Sequence, residues 1–272
     1  EYIPPIKRPK VETYEDYLFV VLHFPVFIKK TGRTSSGELD ILITKDTLIT
    51  SHRGVFPQLK KFFEDCHLHS QTRKQFMNQT TSHLLYHLLD RMIDSRLPML
   101  DQIAEKIDQI EDQVFKGEER EMVSEISMIK RDILHFRKAI KPQRAVLENL
   151  SRGFLEVFPH FKEFRNLKFL VIEVIGSEIE VWNVLENHKE TIEAIEKTND
   201  ALLSYKISDI VKILTVISFI TFPLGVIAGI FGMNVFRNVE FVNSPYAFWI
   251  IIGAMLLAAV IMFIFFKKKK WL

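Results

Sequence analysis

The sequence predicts an α+β cytoplasmic domain followed by a long stalk helix and two C-terminal transmembrane helices. Three observations carry this. β-rich runs separated by turn residues occupy the first sixty positions, and a helical pattern then runs without proline from 160 to 222. Two uncharged stretches, 213–231 and 247–266, follow near the end of the chain. Roughly 19 residues at about 1.5 Å each reach about 28 Å, close to the hydrocarbon thickness of a bilayer, so each stretch is long enough to span.

The expected organisation runs in order. Residues 1–75 read as a partial α/β domain, with Tyr17-Leu18-Phe19-Val20-Val21-Leu22 and Leu39-Asp40-Ile41-Leu42-Ile43-Thr44 as strands. Lys45-Asp46-Thr47 reads as a tight turn into Leu48-Ile49-Thr50, and positions 32–37 as a polar connection. An antiparallel meander this short makes a poor domain alone, so further residues are expected to precede Glu1. Residues 76–159 read as a helical hairpin region. Phe62, Phe63 and Cys66 share one helical face, and Leu84, Leu85, Leu88 and Leu89 lead to Met92.

Pro98 can open a helix carrying Leu100, Ile103, Ile107 and Ile110, with Lys116-Gly117-Glu118 as the hairpin tip. Val123, Ile126, Ile129, Ile133 and Phe136 mark the return helix. Residues 160–234 read as the stalk continuing into the first transmembrane helix, with Leu170, Val174, Val181, Leu185, Ile192, Ile195 and Leu202 as a packed, coiled-coil-like seam. A continuous helix of that length approaches about 100 Å and needs neighbours. Gly176 is the local objection, at roughly 1 kcal/mol in a helix interior. Residues 235–246 form an outside loop, 247–266 the second span and 267–272 a basic cytoplasmic tail.

Orientation follows from flanking charge, because lysines near a span stay on the cytoplasmic side. Lys267, Lys268, Lys269 and Lys270 place the C-terminus inside, where they can also meet anionic lipids. Arg237 and Glu240 balance in the intervening loop, so with two spans the N-terminal part is inside as well. Glu1-Tyr2-Ile3-Pro4-Pro5 has neither the basic start nor the apolar core of a signal peptide. The single Cys66 allows no intrachain disulfide and suits a reducing compartment.

Several chemistries are missing. A phosphate-cradling GxxxxGK[ST] loop does not occur, so direct ATP-driven pumping has no support, and no triad or paired-carboxylate pattern suggests an enzyme. His67 and His69, or His83 and His87 one turn apart, have zinc-ligand spacing. No cysteine or third ligand clusters with either pair in sequence, so a structural role is the expectation. A net charge of +2 with mixed signs says little about partners, and no nucleic acid is expected.

Phe231-Gly232-Met233-Asn234 after the first span resembles the CorA family of magnesium and cobalt channels. So do the preceding Lys212-Ile213-Leu214-Thr215 and Pro223-Leu224, the Lys267-Lys268-Lys269-Lys270-Trp271-Leu272 ending, and Arg8-Pro9-Lys10-Val11-Glu12 followed by Tyr17-Leu18-Phe19. The resemblance covers essentially the whole chain. It implies a funnel-shaped homopentamer in the cell membrane, whose five stalk helices continue as the pore-lining first span. It also implies a passive, potential-driven import of Mg2+, with Co2+ or Ni2+ as further ions.

Under that resemblance Gly232, Met233 and Asn234 form the ion-selective mouth. Mg2+ gives up its waters reluctantly, so five Asn234 amide oxygens can accept from a hydrated ion without trapping it. Ser208, Val211, Leu214, Phe222 and Gly225 fall at or near pore-lining positions of the family. Val211, Leu214 and Phe222 can close as water-excluding rings. Two positions depart from the family: Gly225 stands where a threonine is frequent, and Ser208 where an asparagine is.

Gating by internal Mg2+ is implied through acidic residues, and Glu173 falls at one such position. Its family partner near Phe27-Ile28 is not acidic here, so two readings stand, a displaced partner such as Glu38 or Asp40 and a plain solvated Glu173. Asp101, Glu105, Asp108, Glu111 and Asp112, then Glu118, Glu119, Glu121 and Glu125, can concentrate cations or merely solvate the hairpin. Two other readings stand beside this one. The first is zinc transport on the same scaffold, against which the retained Met233 argues. The second is a non-conducting membrane-anchored coiled-coil scaffold, against which Thr215, Ser218, Thr221, Gly225 and Gly229 argue.

Overall fold

The computed structural model describes residues 8–28, 33–159, 167–233, 246–269 and 271, with side chains from 171 onward in the long helix. Leu170, residues 160–166, Asn234, the loop with Arg237 and Glu240, and Lys270 lie outside the described residues or side chains. The chain divides into two compact units, residues 1–199 and 200–272.

Alternating apolar residues build the sheet of the first unit. Strands β1 (Lys10–Thr13), β2 (Leu18–Ile28), β3 (Arg33–Ile43) and β4 (Leu48–His52) pair antiparallel in sequence order. Leu18, Val20, Leu22 and Phe24 of β2 and Leu39, Ile41 and Ile43 of β3 are buried at every second position, as one sheet face against a core requires. The expected turn at Lys45-Asp46-Thr47 is present, closed by Thr44 N–H on the Thr47 carbonyl at 2.9 Å and Thr47 N–H on Thr44 Oγ1 at 3.0 Å.

Positions 33–37 are not the expected polar connection; they are strand. Arg33 pairs with Ile28 and Gly37 with Phe24. Polar side chains hid this, and tertiary pairing overrides their weak β-propensity. Glycine is required at 37, because a Cβ there would lie 2.8 Å from both the Phe56 ring and Val26 Cγ2.

Helices α1 (Pro57–Leu68), α2 (Ser70–Met77), α3 (Thr81–Asp94) and α6 (Gln143–Val157) share the core of the sheet through Phe62, Cys66, Phe76, Leu85, Leu88, Leu89, Leu147, Leu150 and Phe154. Phe63, expected on the inner face of α1, is 66% exposed. Of the two adjacent phenylalanines, only Phe62 points inward. Helices α4 (Leu97–Lys116) and α5 (Glu119–Ile140) form the expected hairpin. Gly117 caps α4 at φ +98°, a left-handed conformation that glycine adopts without Cβ strain, while Glu118 N–H reaches the Gln113 carbonyl at 3.1 Å.

The apolar stripe of the hairpin is buried at Leu100, Ile103, Ile107, Ile110, Ile126, Ile129, Ile133 and Phe136, whereas Val123 is exposed one turn from the tip. The acidic residues of the hairpin are exposed except Glu119 and Asp132.

Helix α7 runs unbroken from Leu167–Gly232, through Gly176 and Pro223. Val174, Val181, Leu185, Ile192 and Ile195 are its buried seam. Polar anchors fix it within the first unit. Arg96, at the N-cap of α4, donates both terminal nitrogens to the Glu178 carboxylate of α7 and also reaches Gln143 Oε1 at 3.2 Å. Gln143 in turn donates to the His23 carbonyl on β2. Arg96, Gln143 and Glu178 are all at least 95% buried, and the guanidinium sits 5.5 Å from the Phe24 ring centre. Further along, Arg137–Glu186 and Lys130–Glu196 pair α5 with α7 at 2.6 Å each. Helix α8 (Ala247–Lys268) completes the second unit.

Candidate functional site

The helix α7 has two unlike faces within the second unit. Val216 is 1% exposed, and Ile220, Pro223, Leu224 and Ile227 are half-buried. At about 100° per residue these fall on one side, and Phe219 meets Phe266 of α8 with ring centres 6.3 Å apart. Ser208, Val211, Leu214, Ser218, Phe222, Gly225 and Gly229 are all exposed on the other side. Packing against α8 therefore uses a different set of residues from those expected to line a path. A Cβ added at Gly225, Gly229 or Gly232 would meet no atom within 4 Å, so their small size is not needed for packing inside the chain.

The hydroxyls along this helix are satisfied internally. Ser208 donates to the Ser204 carbonyl at 2.9 Å, Thr215 to Val211 at 2.7 Å, Ser218 to Leu214 at 2.8 Å and Thr221 to Ile217 at 2.9 Å. No donor is left orphaned, which matters in hydrocarbon. The oxygens keep an unshared lone pair and so present acceptors only, the polarity suited to the water shell of a cation.

Two described helices are long and apolar enough to cross a membrane, within Val171–Gly232 and over Ala247–Lys268, and almost nothing of their most apolar stretch is buried. A soluble core helix of that composition would be covered. Aromatic residues sit at both ends of α8: Tyr246, Phe248 and Trp249 at its start are exposed, and Trp271 at its end packs on Phe266 at 5.9 Å. Such rings favour the two membrane interfaces. Lys269 N–H caps the Phe265 carbonyl at 3.1 Å, and its ammonium lies 5.6 Å from the Phe265 ring.

At the other end of the membrane segment, Gly232 is the last residue of α7. Met233 donates its N–H to the Ile230 carbonyl at 3.2 Å with its side chain exposed. Asn234 follows outside the described residues.

Glu173 is exposed on α7, beside α3. Tyr86, Asp90 and Asp94 recur there at steps of four, a spacing that puts them on one helical face. Burial pushes the Asp90 carboxyl up, with Asp94 and Glu173 adding to the shift and Arg91 opposing it. The Tyr86 phenol is also raised, first by burial, then by Asp90 and by its hydrogen bond to Glu173. Inside one chain Glu173 therefore faces Tyr86 and Asp90 of α3, which share a helical face with Asp94, a spacing that the sequence displays. Among the described residues, no three His, Cys, Asp or Glu side chains converge closely enough to hold an ion.

A pH prediction follows. Asp90 is raised in the folded protein, so folding favours its neutral form. Its contribution is fully present below the ordinary carboxylate range and is lost as pH rises through the folded pKa. Asp90→Asn is expected to raise the melting temperature at pH 7, with the gain shrinking towards pH 4. Thermal unfolding at both pH values checks this.

Comparison with known proteins gives a consistent result. A family model described as CorA-like Mg2+ transporter protein matches residues 4–268. A cobalt/magnesium transport protein CorA of Thermotoga maritima is 28% identical over 274 residues, spanning 98% of this chain and 73% of that protein. The protein of the same description from Methanocaldococcus jannaschii is 25% identical over 268 residues, spanning 97% and 80%. Among solved structures, the complete CorA magnesium transporter of M. jannaschii superposes with a TM-score of 0.81 at 24% identity, covering 97% of this chain and 80% of that one. The full-length CmaX protein gives 0.67 at 17% identity, covering 98% and 79%. These two likenesses establish the fold.

Proposed function

The chain belongs to the CorA-like Mg2+ transporter family, membrane proteins that move divalent cations and are not enzymes, and on that premise we propose that it is a passive channel importing Mg2+ down the membrane potential. Co2+ and Ni2+ are further permeant ions of this reading. The observation that supports it is the exposed face of α7, whose hydroxyl protons are committed to the helix and whose residues are not spent on α8. In the proposed assembly five copies turn this face to a common axis. Ser208, Val211, Leu214, Phe222 and Gly225 then line the path, and five Asn234 amides, next to Gly232 and Met233, accept hydrogen bonds from the hydrated ion at the outer mouth. Both termini lie in the cytoplasm, and the domain order is that expected from sequence, with residues 235–246 as the outer loop.

Gating in this proposal rests on Glu173. Burial, then Asp94 and Glu173, disfavour the charged form of Asp90, and a divalent cation relieves such repulsion. The described residues of one chain do not gather three ligands there, and in this proposal the ion that closes the funnel lies where Glu173 meets a neighbouring copy.

Cysteine accessibility tests the lining. The native Cys66 is 1% exposed and gives little background. Ser218→Cys is expected to react with a cationic, water-soluble thiol reagent and to lose most of its Mg2+ flux on modification. Val216→Cys, on the packed side, is expected to stay unmodified. Equal labelling of both, with flux unchanged, would place the water path elsewhere.

A further inference from the structure

We propose that His83 and His87 on α3 bind a borderline divalent transition ion, Co2+, Ni2+ or Zn2+, at a site that Mg2+ does not take. The two residues are one helical turn apart, half-buried, with Nε2 atoms 3.1 Å from each other. Two metal–nitrogen bonds of about 2.05 Å spanning that distance would enclose an angle of about 98°, between the octahedral and tetrahedral values. The rings are held in place from the side: His87 lies 4.8 Å from Phe76 and 5.0 Å from Tyr86, both edge to face.

Without metal, the close approach of the two Nε2 atoms requires one of them to carry a proton between them. A divalent ion replaces that single hydrogen bond with two coordinate bonds, the proton passing to Nδ1 of the same ring, which binds as its Nδ1–H tautomer. Arg91 follows one turn after His87 on α3. Arg91 itself is drawn onto aromatic faces, 4.4 Å from the Phe62 ring centre and 5.3 Å from that of Phe76. With no third side-chain ligand converging among the described residues, water completes the shell.

Ligand chemistry sets the selectivity. Imidazole suits borderline ions of the cobalt to zinc group, whereas Mg2+ demands oxygen and holds its waters. The pair sits on the same helix as Tyr86 and Asp90, the groups that meet Glu173 of α7. Resting on the transporter reading above, the site lets the cytoplasmic region register a transition ion separately from Mg2+.

The test is a Zn2+ titration of the full chain in detergent, in excess MgCl2, against a chromophoric chelator. One Zn2+ per chain is expected, and His83→Gln and His87→Gln are each expected to weaken binding at least ten-fold, with helicity by circular dichroism unchanged. Cu2+ electron paramagnetic resonance of the unaltered protein gives a second readout that needs no variant, with coupling to two imidazole nitrogens expected. Zn2+ binding unchanged in the double glutamine variant, displacement of Zn2+ by equal Mg2+, or absence of nitrogen coupling would each overturn the site. Failure of the transporter reading would show separately, as absent Mg2+ uptake in liposomes by a protein that still binds Zn2+.

Discussion

Glu178→Gln is expected to destabilise the unit formed by residues 1–199 by about 3–5 kcal/mol, the cost of stranding a buried charge. Arg96 is 1% exposed and Glu178 5%, so neither can turn to water when its partner is removed. Gln143 and the Ile93 carbonyl would remain as the partners of Arg96, and neither carries a charge. The loss also uncouples α7 from the α4 N-terminus and, through Gln143, from β2. Replacing both residues by methionine is expected to recover most of the loss, because desolvating a pair offsets much of its attraction. The exposed Lys60–Glu64 pair, at 3.7 Å, provides the contrast: Glu64→Gln is expected to shift stability by less than about 0.5 kcal/mol. Urea unfolding followed by circular dichroism in detergent reads all three. A loss below about 1 kcal/mol in Glu178→Gln would mean that water reaches the pair.

Asn234→Ala carries the second large effect, on transport. In the proposed pentamer the substitution removes five acceptor oxygens from the mouth of the path. A hydrogen bond contributes about 1 kcal/mol net, so losing several from one hydrated ion costs more than the 1.4 kcal/mol that equals ten-fold. Mg2+ uptake is therefore expected to fall at least ten-fold while oligomer and fold persist. Asn234→Asp is expected to trap the ion instead, since five carboxylates bind a divalent cation too tightly for it to leave. Uptake by Asn234→Ala equal to that of the unaltered protein would remove Asn234 from the selective mouth.

The sequence made some elements readable and concealed others for physical reasons. The hairpin tip was readable because Gly117 is the residue that a left-handed cap wants, and α8 because 22 apolar or terminal residues have no alternative in water. The continuity of α7 followed from its unbroken seam, and the helix runs through Gly176.

Strand β1 and the first half of β3 were hidden. Lys10-Val11-Glu12-Thr13 and Arg33-Thr34-Ser35-Ser36-Gly37 carry mostly polar side chains, and their strand state comes from pairing with β2. The Arg96–Glu178 pair was equally invisible, because 82 residues separate the partners and each alone looks like a solvated charge. On α7, Ser208, Val211, Leu214, Phe222 and Gly225 are exposed, whereas Thr215 is half-buried. The spacing of 86, 90 and 94 displays one face of α3, but that this face meets Glu173 needed the fold, because α3 and α7 come together in the shared core.

The most direct measurement of the central claim is Mg2+ uptake by the full chain in liposomes loaded with a magnesium-sensitive dye, with and without an imposed inside-negative potential. A divalent charge gains about 4.6 kcal/mol per 100 mV, so a passive path predicts uptake that rises steeply with the potential and needs no nucleotide. A folded, oligomeric protein that passes no divalent cation at any potential, or whose Mg2+ uptake ignores the potential, would contradict the account.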